Sequence, residues 1–443
     1  MMTHGSKPAL WETVPVLRAS GQPGAPGTQL ALVEGCPWGP AVSRVLLVLP
    51  RPVCSDSVTA DRFQVWEEKE AFDKAEPVPA RMLSRTRRTV RQAAAVTADG
   101  APTRQDSPYI LLTLAVSPAE GCPFCFNPLT QKADWCDPYR LTVTLTAPLS
   151  TPEGKPLDHL ELDPEPSMGV PCLAGVRLDG VFTGSGGHTL HYAFYGPDHP
   201  AGEKHPLVIW LHGAGEGGTD PAVAALGNQV SALWGDTFQK EMGGAYVLAP
   251  QTPTYWMQYT EKGDWKDNPG VSSVYHGDLV ELIRAVLAEY PDIDRDRVTV
   301  GGCSNGGYMT MDLVLDDPSL FAAAYPICEA YRDDGISDRQ LKALAESGLP
   351  LWFVYAENDP IVPPAAHAAP TIRRLRAMGA DLHATVLPKV VDETGLYTRP
   401  DGSPYEYNGH FSWVYFFQGL CTDGGENLWS WLARQNRSEQ NKI

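Results

Sequence analysis

The 443 residues hold no uninterrupted apolar run of membrane-spanning length. The opening stretch, Met-Met-Thr-His-Gly-Ser-Lys-Pro-Ala-Leu-Trp-Glu, lacks the apolar core and small-residue cleavage site of a secretory leader. The expectation is a cytoplasmic protein without a membrane partner; a secreted protein stripped of its leader would read the same way. Positive charge is scarce. Thirty-five Lys and Arg stand against 53 Asp and Glu, a net −18, and such a chain repels phosphate backbones, so nucleic acid is not an expected partner. A disulfide rhythm is also missing: of nine cysteines, six precede residue 175 and three follow it. Cys122-Pro-Phe-Cys125 with Cys136 is the one cluster suited to zinc. A tetrahedral site needs a fourth ligand, and no second Cys-x-x-Cys or His-x₃-His follows. Reduced thiols and no metal are expected.

What the chain does have is material for a core: 43% of its residues are hydrophobic and 20% charged. Its length suggests two domains. Up to about residue 170 it reads as short apolar or alternating runs (28–33, 43–49, 63–66, 90–96, 109–116 and 139–146) parted by Pro, Gly, Asp and Ser. Strands at that spacing, with no long helical period, predict an antiparallel β-sandwich over residues 1–170. Residues 119–138 are an excursion between two strands, and 149–170 a linker rich in Pro, Glu and Asp. From residue 176 to 443 strands and helices alternate. Strands are predicted at 207–211, 245–249, 298–300, 321–327, 351–355 and 383–387, with helices at 278–290, 306–315, 369–378 and 426–435. Such alternation specifies a mainly parallel sheet flanked by helices, with functional residues at the carboxyl ends of strands.

The strongest motif is Gly302-Cys303-Ser304-Asn305-Gly306, set directly after a predicted strand and directly before a predicted helix. It is the Gly-x-Ser-x-Gly nucleophile elbow of the α/β-hydrolase fold. Only glycine at both flanks lets the backbone turn so tightly, and the turn pushes the Ser304 hydroxyl into the open beside a helix N-terminus that favours negative charge. A second buried run, Leu207-Val-Ile-Trp-Leu211, ends in His212-Gly213-Ala214-Gly215-Glu216. In this fold that loop and the residue after the nucleophile supply the oxyanion hole, which here means the amides of Ala214 and Asn305. Loss of one such donor costs about 3–4 kcal/mol of transition-state stabilisation. His212 precedes the nucleophile, whereas the fold orders its triad Ser, acid, His; a structural role is expected for it.

The acid follows the strand at 351–355, in Glu357-Asn358-Asp359-Pro360. Asp359 is preferred and Glu357 is its rival. Three histidines lie beyond Ser304. His367 follows too closely on Asp359, and His383 falls within a strand. His410, in Asn408-Gly409-His410-Phe411, stands in a Gly-led loop before the last elements, where the base of such a triad belongs. Tyr255, Trp256, Glu329, Tyr331, Tyr397, Tyr405 and Tyr407 lie on loops expected at the same face. Tyr255, Trp256, Glu329 and Tyr407 are read as substrate contacts of an apolar acyl or aryl pocket.

On these residues the chain resembles polyhydroxybutyrate-depolymerase-like and feruloyl-type esterases. In layout it is similar to bacterial esterases with an immunoglobulin-like domain in front of the α/β-hydrolase domain. The motif likeness spans residues 205–415. The resemblance implies a serine carboxylesterase acting through an acyl-enzyme on small acyl or aryl esters, without metal or organic cofactor. Residues 389–408 depart from the family pattern and reshape any pocket built there. A prolyl-oligopeptidase-like peptidase shares fold and triad order, but residues 1–170 are too few for its propeller. A binding module with an inactive hydrolase domain is the third reading, against which every triad position is filled. Residues 1–170 carry no triad and are expected to pack on the hydrolase domain or to join subunits of a homo-oligomer.

Overall fold

The computed structural model describes residues 7–73, 78–199, 202–260 and 271–440; part of the stretch read for a leader lies outside them. The chain divides into two compact units, Met1–Gly175 and Val176–Ile443.

The first unit is built on two sheets. The larger runs in the order Val16–Arg18, Ser167–Gly169, Gln29–Cys36, Gly39–Val53, Ser107–Leu114, Val90–Val96, and the smaller in the order Tyr139–Leu145, Phe63–Asp73, Ala80–Arg88. Alternation buries Phe63 and Val65 on one strand, and Ile110, Leu112 and Leu114 on another, as one-sided sheets require. The sheets are tied by a buried charge. The guanidinium of Arg88 donates to Glu67 and to the carbonyls of Val42 and Ala115, each at 2.9 Å, and the Tyr139 hydroxyl donates to Glu67 at 2.5 Å. The excursion at 119–138 folds into a hairpin, Phe124–Asn127 against Lys132–Trp135. All nine cysteines are free thiols. Burial pushes Cys122, Cys125 and Cys136 upward, away from the thiolate that binds metal. Among the described residues no group of three or more His, Cys, Asp or Glu could hold a metal ion.

The second unit is built on an eight-stranded sheet, with a two-stranded ladder of Thr422–Asp423 against Glu426–Asn427 near its end. The strands of the large sheet are β1 (Arg177–Thr183), β2 (Thr189–Tyr195), β3 (His205–Leu211), β4 (Tyr246–Gln251), β5 (Ile293–Cys303), β6 (Ala323–Ile327), β7 (Leu351–Ala356) and β8 (Leu382–Leu387). They lie side by side as β1-β2-β4-β3-β5-β6-β7-β8. Pairing is antiparallel from β1 through β4 and parallel thereafter. The central strands read as unbroken apolar runs because both faces are covered: all seven residues of β3 and all five of β6 are buried. The α-helices are α1 (Pro221–Leu226), α2 (Asp236–Met242), α3 (His276–Glu289), α4 (Asn305–Asp316), α5 (Asp338–Glu346), α6 (Ala368–Ala377), α7 (Trp413–Phe417), α8 (Leu428–Arg434) and α9 (Arg437–Gln440). None of the described helices is long and apolar enough to cross a membrane.

Candidate active site

The carboxyl ends of β3, β5, β6 and β7 carry the chemistry-bearing residues. Ser304 joins β5 to α4 at φ 55 and ψ −112, a conformation that costs about 1–3 kcal/mol and persists only where its surroundings impose it. They do so through three backbone hydrogen bonds. The Ser304 N–H donates to Ile327 O (2.9 Å), and its carbonyl accepts from Tyr308 (2.9 Å) and Ala330 (3.2 Å). The flanking glycines are required by space. A Cβ on Gly302 would lie 2.3 Å from the Leu211 carbonyl oxygen, and one on Gly306 only 1.9 Å from it. The end of β3 thus presses directly on the elbow, which brings the following loop beside Ser304.

That loop opens with His212, whose ring is buried with both nitrogens engaged. Nδ1–H donates to Gly213 O (2.6 Å) and Nε2 accepts the Thr252 N–H (3.1 Å). Burial holds its pKa down at about 4, so near neutrality it is an uncharged brace between β3 and the end of β4. Residues Ala214–Glu216 then form a single 3-10 turn. Asn305 is the first residue of α4, where amides have no partner within the helix; its buried side chain accepts from Met257 N–H (3.3 Å). These are the placements of the two amides expected to form the oxyanion hole.

Asp359 is buried, and its Oδ1 accepts the N–H groups of Ile361 (2.8 Å) and Val362 (2.9 Å). Its Oδ2 faces His410 Nδ1 at 2.8 Å. The rival Glu357 is exposed. His410 is held from behind by Asn408, whose Oδ1 accepts the His410 N–H (2.9 Å), and edge-on by Trp413 (5.6 Å). Gly409 allows this approach, since a Cβ there would meet Asn358 Oδ1 at 2.3 Å. Elsewhere, His367 bonds the Pro363 carbonyl and His383 stacks on Trp352 beside Asp423. Cys328 lies among Ser304, Asp359 and Ser412 of the loop that carries His410. Its thiol, raised by burial, is raised further by the Asp359 carboxylate and eased by the Ser412 hydroxyl and the Ser304 backbone.

The four expected substrate contacts are placed unevenly. Trp256 is fully buried with its ring on His212 (5.1 Å), Glu329 is 1% exposed with Oε2 accepting Tyr331 N–H (2.6 Å), and Tyr407 is 4% exposed. These three are buried, and among the four Tyr255 alone is partly exposed. Residues 389–408 gather on the buried carboxylate of Asp392. It accepts from the Thr394 hydroxyl (2.9 and 3.0 Å), the Tyr397 N–H (3.3 Å) and the Tyr407 hydroxyl (3.5 Å). Sequence reasoning singled out neither Asp392 nor the brace at Asn408, although an Asn two residues before a loop histidine is a recognisable turn signal.

Residues 30–158 match the family model described as the esterase Ig-like N-terminal domain, and residues 260–332, which include the elbow, match that of the prolyl oligopeptidase family. Among curated proteins, none matches. A solved structure described as a thermostable esterase superposes with a TM-score of 0.70 at 22% identity, over 93% of this chain and 100% of its own. The second unit has the α/β-hydrolase fold, and the unit before it is similar over residues 30–158 to the esterase immunoglobulin-like domain. The chain also superposes on a ferulic acid esterase (TM-score 0.38, 16% identity, 48% of this chain and 89% of that one). A third match is an acylaminoacyl peptidase from Pyrococcus horikoshii (0.37, 16%, 58% and 44%). Both are too loose to carry an argument. The elbow and the two family models together support a serine hydrolase.

Proposed function

We propose that this hydrolase cleaves carboxylic esters of short acyl or aryl groups through an acyl-enzyme on Ser304. The observation that carries the reading is the 2.8 Å contact between His410 Nδ1 and Asp359 Oδ2, in a unit whose elbow serine is held in a strained turn. With Nδ1 committed to the carboxylate, Nε2 is the nitrogen that takes the serine proton. Ser304 Oγ adds to the ester carbonyl while His410 accepts its proton, and the amides of Ala214 and Asn305 receive the oxyanion. Collapse expels the alcohol, which leaves with the proton from His410. Water then adds to the acyl-enzyme by the same route and releases the acid. No metal or organic cofactor enters these steps.

A second reading, a peptidase, is favoured by the prolyl oligopeptidase match over residues 260–332. Against it stands the first unit, which folds as a sandwich. The purified protein is expected to turn over 4-nitrophenyl acetate and to leave an aminoacyl nitroanilide intact; the reverse preference selects the peptidase. Ser304→Ala should lose both fluorophosphonate labelling and turnover, the latter on the order of 10⁶-fold in kcat. Labelling that survives in this variant would place the nucleophile elsewhere.

A further inference from the structure

Glu216 closes the loop that carries Ala214, and none of the steps above uses its carboxyl. Its backbone carbonyl is held by Gln251 Nε2 (2.8 Å). Its side chain turns inward, with Oε2 shut off from solvent. Two glycines make the room. A Cβ on Gly213 would lie 2.9 Å from Glu216 Oε2, and one on Gly227 2.4 Å from Glu216 Cγ. Neither glycine needs its conformational freedom: Gly213 lies at φ −71 and Gly227 at φ −62, ordinary for any residue. Their lack of a side chain is explained by the carboxyl lodged between them. The far wall is Cys303, the residue before the nucleophile, whose Sγ would lie 3.6 Å from the same Gly213 Cβ and donates to Asn228 Oδ1 at 3.4 Å.

We propose that Glu216 is the positioning residue of the oxyanion loop: its carboxyl fills the chamber beneath Gly213 and fixes the turn that aims the Ala214 N–H at the reacting carbonyl. The proposal rests on the ester-hydrolase reading. Its consequence is a pH dependence separate from that of the base. Burial pushes the carboxyl up to about 7, against the pull of the Glu216 and Gly213 backbone amides. The titratable group packed against it is the Cys303 thiol, which burial keeps protonated, and His212 in the same loop is neutral. Below neutrality the acid is uncharged and leaves the oxyanion unopposed; above it a negative charge stands behind the hole, so kcat falls as pH rises.

Glu216→Gln and Glu216→Ala test this with 4-nitrophenyl acetate and a trifluoromethyl ketone, which binds serine hydrolases as an oxyanion. Gln keeps shape and neutrality and should retain kcat within about threefold at pH 6 while losing the alkaline decline. Ala empties the chamber and should lower kcat at least about tenfold, with KM little changed and the ketone inhibition constant rising in parallel. Wild-type kcat and inhibition in the Ala variant overturn the proposal, as does an alkaline decline that persists in Gln. If Ala does not fold, the Gln pH profile decides alone. Ser304→Ala separates the two failures. Turnover surviving there places the nucleophile elsewhere and removes the Ser304 mechanism on which the proposal rests, whereas an inactive Ser304→Ala beside an unaffected Glu216→Ala removes only the role of Glu216.

Discussion

At the scale of single residues, the site is organised by how closely backbones approach one another. Gly306 touches the end of β3 so tightly that a methyl group cannot enter without parting strand from elbow. Gly306→Ala should therefore lower stability by about 1–3 kcal/mol, as overpacking does, and reduce ester turnover, read by thermal melting and 4-nitrophenyl acetate. Gly277, in the first turn of α3, meets nothing within 4 Å. Gly277→Ala is the matched control and should raise stability by about 0.4–1 kcal/mol. His212 adds a pH term. Its folded pKa of about 4 lies below that of an exposed histidine, so the unfolded chain binds the proton more readily. The contribution is fully present above pH ~6.5 and fades as pH falls toward 4, by about 3 kcal/mol at most. Urea unfolding from pH 7 to 4 should show this slope, and His212→Asn should flatten it.

At the scale of elements, legibility followed burial. The runs behind β3, β6 and β7 are apolar on both faces, and the elbow, the loop after β3 and the acid loop could be placed from the strands they follow. The strand Ala80–Arg88 was invisible because seven of its nine side chains are exposed, leaving no alternation to read. The hairpin of β1 and β2 was missed for a similar reason, its outer strand being mostly solvent-facing. Helices α1 and α2, of six and seven residues, are too short to display a helical period. Within the site, the pairing of Asp359 with His410 was readable, but the inward turn of Glu216 was not, since nothing in the sequence says which way a loop carboxylate points. The Arg88–Glu67 staple was equally hidden: a charge in a strand reads as outward-facing until its partner is seen. Glu67→Ala should cost about 3–5 kcal/mol, because it strands a buried guanidinium, and Arg88→Met paired with Glu67→Leu should recover much of the loss. Chemical denaturation measures both.

At the scale of the whole molecule, every residue assigned a catalytic or positioning role lies in Val176–Ile443, which has its own large apolar core. A chain beginning at Val176 is expected to fold and to label with fluorophosphonate at Ser304. Loss of labelling, with intact circular dichroism, would give the first unit a part in the chemistry.

The Asp392 hub has a bearing on how such an enzyme diversifies. Because the 389–408 excursion is knotted to its own carboxylate, its tip can change in length and composition without transmitting a shift to His410. The elbow and the end of β3 have no such latitude, being locked together atom against atom. New substrate ranges should therefore arise, in evolution or in the laboratory, by exchange of the segment between Thr394 and Tyr405 as a cassette, with Asp392 and Tyr407 kept as its clasp.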